Sequence, residues 1–370
     1  MLASIVSPSP ENALYFELHR QLEAGRPVIL ATIVRSWGST PREVGARMLI
    51  LEDGSIRGTV GGGCGEAEVW QAAMELFEEG GAKLVQVDLT DSPESDSGKV
   101  CGGRQEVLVE HWDASRAELA AAISRALQGK ESRWLATVLG RPGPPLWKTG
   151  VEPEPTALPV ATRWLEQFND PGLDWQDQTY QTVTFEGEQL ECFVERLAPP
   201  PRLVIAGAGH IARPLCRMGA LCGLAVVVVD DRPDYAEPKF FPEAADIICC
   251  PFEDFFRRSF GTDDYIVLVT RGHRHDEDCL RCLVGAQLGY LGMIGSKRRI
   301  RAVFDDLTSE GVSADWLGQV YAPIGLDIGA RTPEEIAVCI LAEIIQVRRR
   351  GEASVLSLST GNRTRVCERN

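Results

Sequence analysis

The chain has 370 residues, 44% of them hydrophobic and 25% charged, with a formal net charge of −15; that length predicts two domains, each able to bury a core. So acidic a chain lacks the Lys and Arg excess that nonspecific nucleic-acid binding requires, and no run approaches the ~18 apolar residues of a membrane span. Eleven cysteines without a repeated pair motif, behind a start MLASIVSPSP that lacks a signal-peptide pattern, point to the reducing cytoplasm.

The acidity is uneven. Residues 1–199 hold 17 basic and 30 acidic groups, whereas 200–350 hold 18 and 21, so the first half makes the acidic surface. In chain order, periodicity predicts a helix over 13–24, then a β-branched strand VILATIVRS and, after the Gly38 and Pro41 loop, a strand over 46–51. The stretch TVGGGCG follows, with a helix predicted over 66–79. Consecutive glycines ahead of a helix expose backbone N–H groups as an anion-binding nest. Cys64 therefore sits at a helix N-terminus, where the helix field favours a thiolate; close packing is the plainer reading of Gly-Cys-Gly. Glu66 reads as a first-turn carboxylate that favours the helix dipole, a use compatible with acid-base work.

A strand over 83–89 leads through a polar loop to Cys101-Gly102-Gly103-Arg104 and a strand over 105–110. Two cysteines in Gly-rich turns would make a soft-ligand pair if both face one cleft. Arg104 is the cation at hand there, or a plain surface arginine. A helix over 117–127, the strand WLATVLG, a turn-rich stretch, a short helix over 159–169 and a hairpin around Glu186-Gly187 complete a mixed α+β domain, residues 1–197. The proline cluster LAPPPR is its boundary.

Residues 198–350 read as a Rossmann-like domain with a parallel sheet, and 351–370 as a polar tail. LVIAGAGHIA starts a strand, a Gly207-Ala208-Gly209 turn and a helix, and AVVVVDD ends the next strand on an acid. In that dinucleotide-binding pattern Gly207 allows the turn, Gly209 admits a pyrophosphate, and the acid, Asp230, meets a ribose hydroxyl. His210 is not needed for a plain cofactor cradle. The strand YIVLVT opens onto RGHRHD, so His273 and Asp276 occupy a binding position at a strand's carboxyl end, with His275 aimed away. Tyr290 to Ile294 is another strand, after which Ser296 caps a basic helix start suited to an anion. A strand at VYAP precedes a long helix capped by Thr332, with Pro333 at its first position and Glu335 completing the cap. Cys249-Cys250 and the Cys279/Cys282 pair read as buried or structural thiols.

GSTPREVGARM, GGGCGE, CGGR, PRLVIAGAGHIA, TRGHRHD, GMIGSKRR and PIGLDIGARTPEEIA, in this order over nearly the whole chain, resemble the xanthine dehydrogenase accessory proteins of the XdhC/CoxI family. The resemblance implies bacterial cytoplasmic factors, commonly homodimers, that bind molybdenum cofactor (molybdopterin) and deliver it in sulfurated form to an apo molybdenum hydroxylase, with a cysteine desulfurase as a further partner. It places cofactor contacts at Cys64, Cys101, Gly207, Gly209, His210, His273, Asp276 and Ser296, to which the reading of the residues themselves adds Glu66, Arg104 and Asp230; the two cysteines are the contacts to the molybdenum centre. Gly65 departs from the branched apolar residue frequent after the first cysteine. The alternative is an NAD(P)-dependent oxidoreductase that uses the Rossmann turn.

Overall fold

The computed structural model describes residues 10–89, 102–129, 133–139, 178–185 and 188–351. Two units follow one another, Pro10–Pro199 and the chain from Pro200. The first is organised on β1 (Val28–Trp37), the middle strand of an antiparallel sheet of order β3-β2-β1-β5-β4. Its partners are β2 (Arg47–Leu51), β3 (Ile56–Gly58), β4 (Ala82–Asp88) and β5 (Arg104–Trp112).

Side chains alternate across a strand, and β1 is apolar on both faces because both are covered. Val28 and Leu30 join a core with Leu18 of α1 (Pro10–Glu23) and with Ile123 and Leu127 of Ala117–Gln128, which is α3. Ile29, Ala31 and Ile33 meet Val69, Ala73 and Leu76 of α2 (Gly63–Glu79). A second antiparallel sheet, β6-β8-β7, comprises β6 (Arg133–Leu139), β7 (Gln178–Phe185) and β8 (Glu188–Leu197). The hairpin is present; Glu186, Gly187 and the helix expected over 159–169 lie outside the described residues.

One buried ion pair ties these layers together. Glu195 of β8 accepts a 2.7 Å hydrogen bond from the Tyr15 hydroxyl and pairs with Arg47 of β2, whose other nitrogen donates to the Gly45 carbonyl at 3.0 Å. Burial alone would lower the Arg47 pKa, but the charges and hydrogen bonds of Glu195 and Tyr15 together outweigh it and the guanidinium stays protonated.

The second unit is a parallel sheet of order β11-β10-β9-β12-β13. Its strands are β9 (Arg202–Ala206), β10 (Ala225–Asp230), β11 (Asp246–Cys249), β12 (Asp264–Leu268) and β13 (Tyr290–Met293). Leu203, Ile205, Val226 and Val267 face Leu215 of α4 (Ala212–Leu221) and a long C-terminal helix. Val204, Ala206 and Ile266 face the opposite way, onto α5 (Phe252–Phe256), α6 (His273–Leu283) and α7 (Lys297–Ser309). After the short α8 (Ala314–Leu317), that long helix is α9 (Pro333–Arg350), and both halves of its Thr332/Glu335 capping box form. Removing such a cap costs about 1 kcal/mol.

Two expectations need correction. VYAP is no full strand: Tyr321 forms only an isolated bridge to Gly292, and Pro323, which has no amide to donate, interrupts the ladder. Cys249 is exposed rather than buried, because β11 is an edge strand. Cys279 does fit the structural reading, since burial in α6 pushes its thiol pKa well up. No helix among the described residues is long and apolar enough to cross a membrane.

Candidate functional site

In the first unit the helix behind Cys64 starts three residues earlier than its periodicity suggests, at Gly63. Gly61, Gly62 and Gly63 have φ values of 135°, 74° and 66°, a run that L side chains resist, which is why three glycines stand there. Within this turn the anion expected from outside is supplied by the chain. The Glu66 carboxylate accepts from the Thr59 hydroxyl at 2.5 Å, the Val60 N–H at 3.3 Å and the Gly62 N–H at 3.2 Å. Glu66 thus organises the loop, through one oxygen of its carboxylate. Cys64, in the first helical turn, is exposed.

Other loops meet this turn through glycines. A Cβ on Gly65 would stand 2.5 Å from a Val87 methyl and 3.3 Å from Leu89, so the family departure at Gly65 reflects close packing of α2 on β4. Leu89 in turn donates to the Gly103 carbonyl at 2.9 Å and accepts from the Gly102 N–H at 3.1 Å. A Cβ on Gly103 would meet the Ser39 carbonyl at 2.4 Å, and one on Gly61 would meet Pro41 at 2.7 Å. The segments 37–42, 59–65 and 102–104 therefore share one end of the sheet. Cys101 lies outside the described residues. Arg104 is exposed and paired with Asp88 at 3.4 Å, and no cluster of three metal-ligating side chains occurs among the described residues.

In the second unit the helices after β9 and β12 lie on opposite faces of the sheet. The carboxyl ends of those neighbouring strands thus form the crevice where open α/β sheets bind ligands. Gly207 has φ 110°, and a Cβ there would reach 2.6 Å from the Val269 carbonyl, whereas a Cβ on Gly209 would meet nothing within 4 Å. We expect Gly207→Ala to destabilise the unit and Gly209→Val to fold normally but obstruct a phosphate. Thermal unfolding checks the first; titration of the cofactor against the folded Gly209→Val variant checks the second, and binding equal to wild type would place the ligand elsewhere.

The acid expected to meet a ribose is already engaged. Asp230 is fully buried, and its carboxylate accepts from the Ala208 N–H at 2.7 Å and from Arg232 through its backbone N–H at 3.0 Å and two guanidinium nitrogens at 2.8 and 2.9 Å. Burial pushes the Asp230 pKa up, but these hydrogen bonds more than reverse it. Its neighbour Asp231 is held by two nitrogens of Arg271, at 2.5 and 2.8 Å.

Asp276 is engaged as well. It is fully buried, accepts from the Thr270 hydroxyl at 2.5 Å and pairs with Arg299, and burial raises its pKa. It joins the loop after β12 to the start of α7. Ser296 caps α7 by accepting from the Arg299 N–H at 3.3 Å. His210, His273 and Ser296 are exposed on the rim, and His275 instead packs on Phe252, ring centroids 5.3 Å apart. Sequence reasoning missed Arg232, Arg271, Arg299 and Thr270. The close spacing of Asp230 and Arg232 could have flagged the first, while the others join distant segments.

The order of these two units is met in known proteins. The XdhC Rossmann domain matches residues 203–344, and the XdhC and CoxI family description matches residues 21–88. A Bacillus subtilis (strain 168) protein, named as one of the probable subunits of xanthine dehydrogenase, is 30% identical over 347 residues, 89% of this chain and 96% of its own. The chain belongs to the XdhC and CoxI family. Another relative is the molybdenum cofactor insertion chaperone PaoD of Escherichia coli (strain K12), 25% identical over 352 residues and 92% of each chain. A crystal structure described as a xanthine dehydrogenase from Bacillus halodurans superposes with a TM-score of 0.75 at 28% identity, over 93% of this chain and 99% of that one.

Proposed function

We propose that this XdhC/CoxI protein binds molybdenum cofactor, shields it and hands it to an apo molybdenum hydroxylase. The observation that carries the reading is the gathering of three Gly-rich or Pro-rich segments around an exposed cysteine at a helix start. Cys64 is the soft group for the molybdenum centre, and Cys101 is the proposed second one. Glu66 holds the presenting loop, and Arg104 supplies positive charge beside it. In the second unit Gly209, His210, His273 and Ser296 line the part of the crevice suited to a phosphate, with Asp276 and Asp230 fixing the loops behind them. A homodimer is the proposed assembly, and a cysteine desulfurase the proposed source of the cofactor's sulfur.

Handover needs an encounter with the client. The excess of acidic groups in residues 1–199 would steer this carrier to a basic surface on the hydroxylase, so the activation rate should fall as salt rises. Anaerobic reconstitution should give molybdenum and pterin in stoichiometric amounts with the chain, and loaded protein should activate apo-hydroxylase in proportion to its load. Equal activation by the same amount of unbound cofactor would refute the carrier.

A further inference from the structure

We infer that the outer face of Trp37 is a stacking platform for the fused pterin rings of the cargo, an inference that rests on the carrier reading above. Trp37 ends β1 with 48% of its surface exposed, although a tryptophan is ordinarily a large contribution to a core. It is braced rather than loose. The register of β1 against β5 slips by one residue between Ile33 and Arg35, and a bulge of this kind re-aims the side chains that follow it. Beyond the bulge, Arg35 lies with its guanidinium 3.8 Å from the Tyr180 ring centroid and 5.5 Å from that of Trp37, and it pairs with Glu106 at 2.7 Å. The indole thus has a fixed cationic backing on one side.

The ground beside the indole suits a flat ligand. Gly38 follows Trp37 directly, and a Cβ on Gly38 would stand 3.2 Å from the Gly102 carbonyl and 3.3 Å from the Gly103 Cα. A Cβ on Gly103 would stand 2.7 Å from the Trp37 carbonyl. Gly38, Gly102 and Gly103 therefore pack backbone against backbone where β1 ends, and no side chain of theirs rises beside Trp37. Trp37 is paired across the sheet with Arg104, and the Gly102–Gly103 turn reaches the α2 start through Leu89 and Gly65. Aromatic stacking of this kind tolerates variation at the hydrogen-bonding edge, because its attraction comes from the ring face.

The test uses full-length wild type, Trp37→Phe and Trp37→Ala, each titrated anaerobically with molybdenum cofactor. Pterin retained after gel filtration and the loss of tryptophan emission on binding are the two readouts. Stacking of one ring is worth about a tenfold loss of affinity on truncation to alanine, so Trp37→Ala should bind roughly tenfold more weakly, while Trp37→Phe should bind almost as wild type with a smaller emission change. Wild-type affinity in Trp37→Ala, with Cys64→Ala impaired, overturns the platform and leaves the carrier standing. Normal binding by Trp37→Ala with failed activation of apo-hydroxylase also overturns it, making Trp37 a contact for the client protein. Wild type that retains no pterin overturns the carrier reading and this inference together.

Discussion

Cys64→Ala is expected to leave a folded protein that retains less than about a tenth of the cofactor held by wild type, a loss of at least ~1.4 kcal/mol in binding. The fold should survive because the thiol is exposed and the surrounding turn is held by the Glu66 carboxylate and by glycine packing, none of which uses the Cys64 side chain. Binding should suffer because no other cysteine among the described residues of the first unit is exposed; Cys192 is buried. The measurement is molybdenum and pterin per chain after desalting, with near-ultraviolet circular dichroism to check packing. Wild-type content in Cys64→Ala would remove this cysteine from the site. Glu66→Gln provides an internal comparison: it weakens the acceptor that gathers the loop while the thiol remains, and so should give a smaller loss.

The largest effect on stability is expected from Arg47→Met. The Arg47 side chain is 1% exposed and that of Glu195 6%, so removing the arginine leaves a buried carboxylate with the Tyr15 hydroxyl as its remaining donor. Breaking one side of a buried pair costs about 3–5 kcal/mol, whereas replacing both partners costs far less. Denaturant unfolding of the first unit should therefore show a large loss in Arg47→Met and partial recovery in Arg47→Met/Glu195→Gln, the non-additivity reporting their coupling. A single-variant loss below about 1 kcal/mol, the scale of an exposed pair, would mean that the pair adds nothing.

Most of the parallel-sheet unit was legible because burial imposes its pattern locally. LVIA and AVVVV are apolar on both faces since helices cover both sides of the sheet. The Thr332/Glu335 cap was legible for a similar reason, as its whole hydrogen-bond geometry lies within four residues. Side-chain pairings at the site were not. Asp230 stands where a ribose acid belongs, and only the folded turn shows that the Ala208 N–H and Arg232 have taken its oxygens. Glu66 resembles any first-turn acid until its bonds to Thr59, Val60 and Gly62 are seen. The bulge after Ile33 was hidden too, because an inserted residue leaves a β-branched run looking regular.

The engagement of Asp230 bears on what the proposed carrier would admit. Nicotinamide nucleotides are abundant wherever metabolism runs, and an open Rossmann turn with an available acid would be titrated by them before any scarce cargo arrived. Here an incoming ribose hydroxyl would have to compete with the Ala208 N–H and Arg232 for the oxygens of a fully buried carboxylate. For the proposed carrier, that competition would disfavour a nicotinamide nucleotide at this turn.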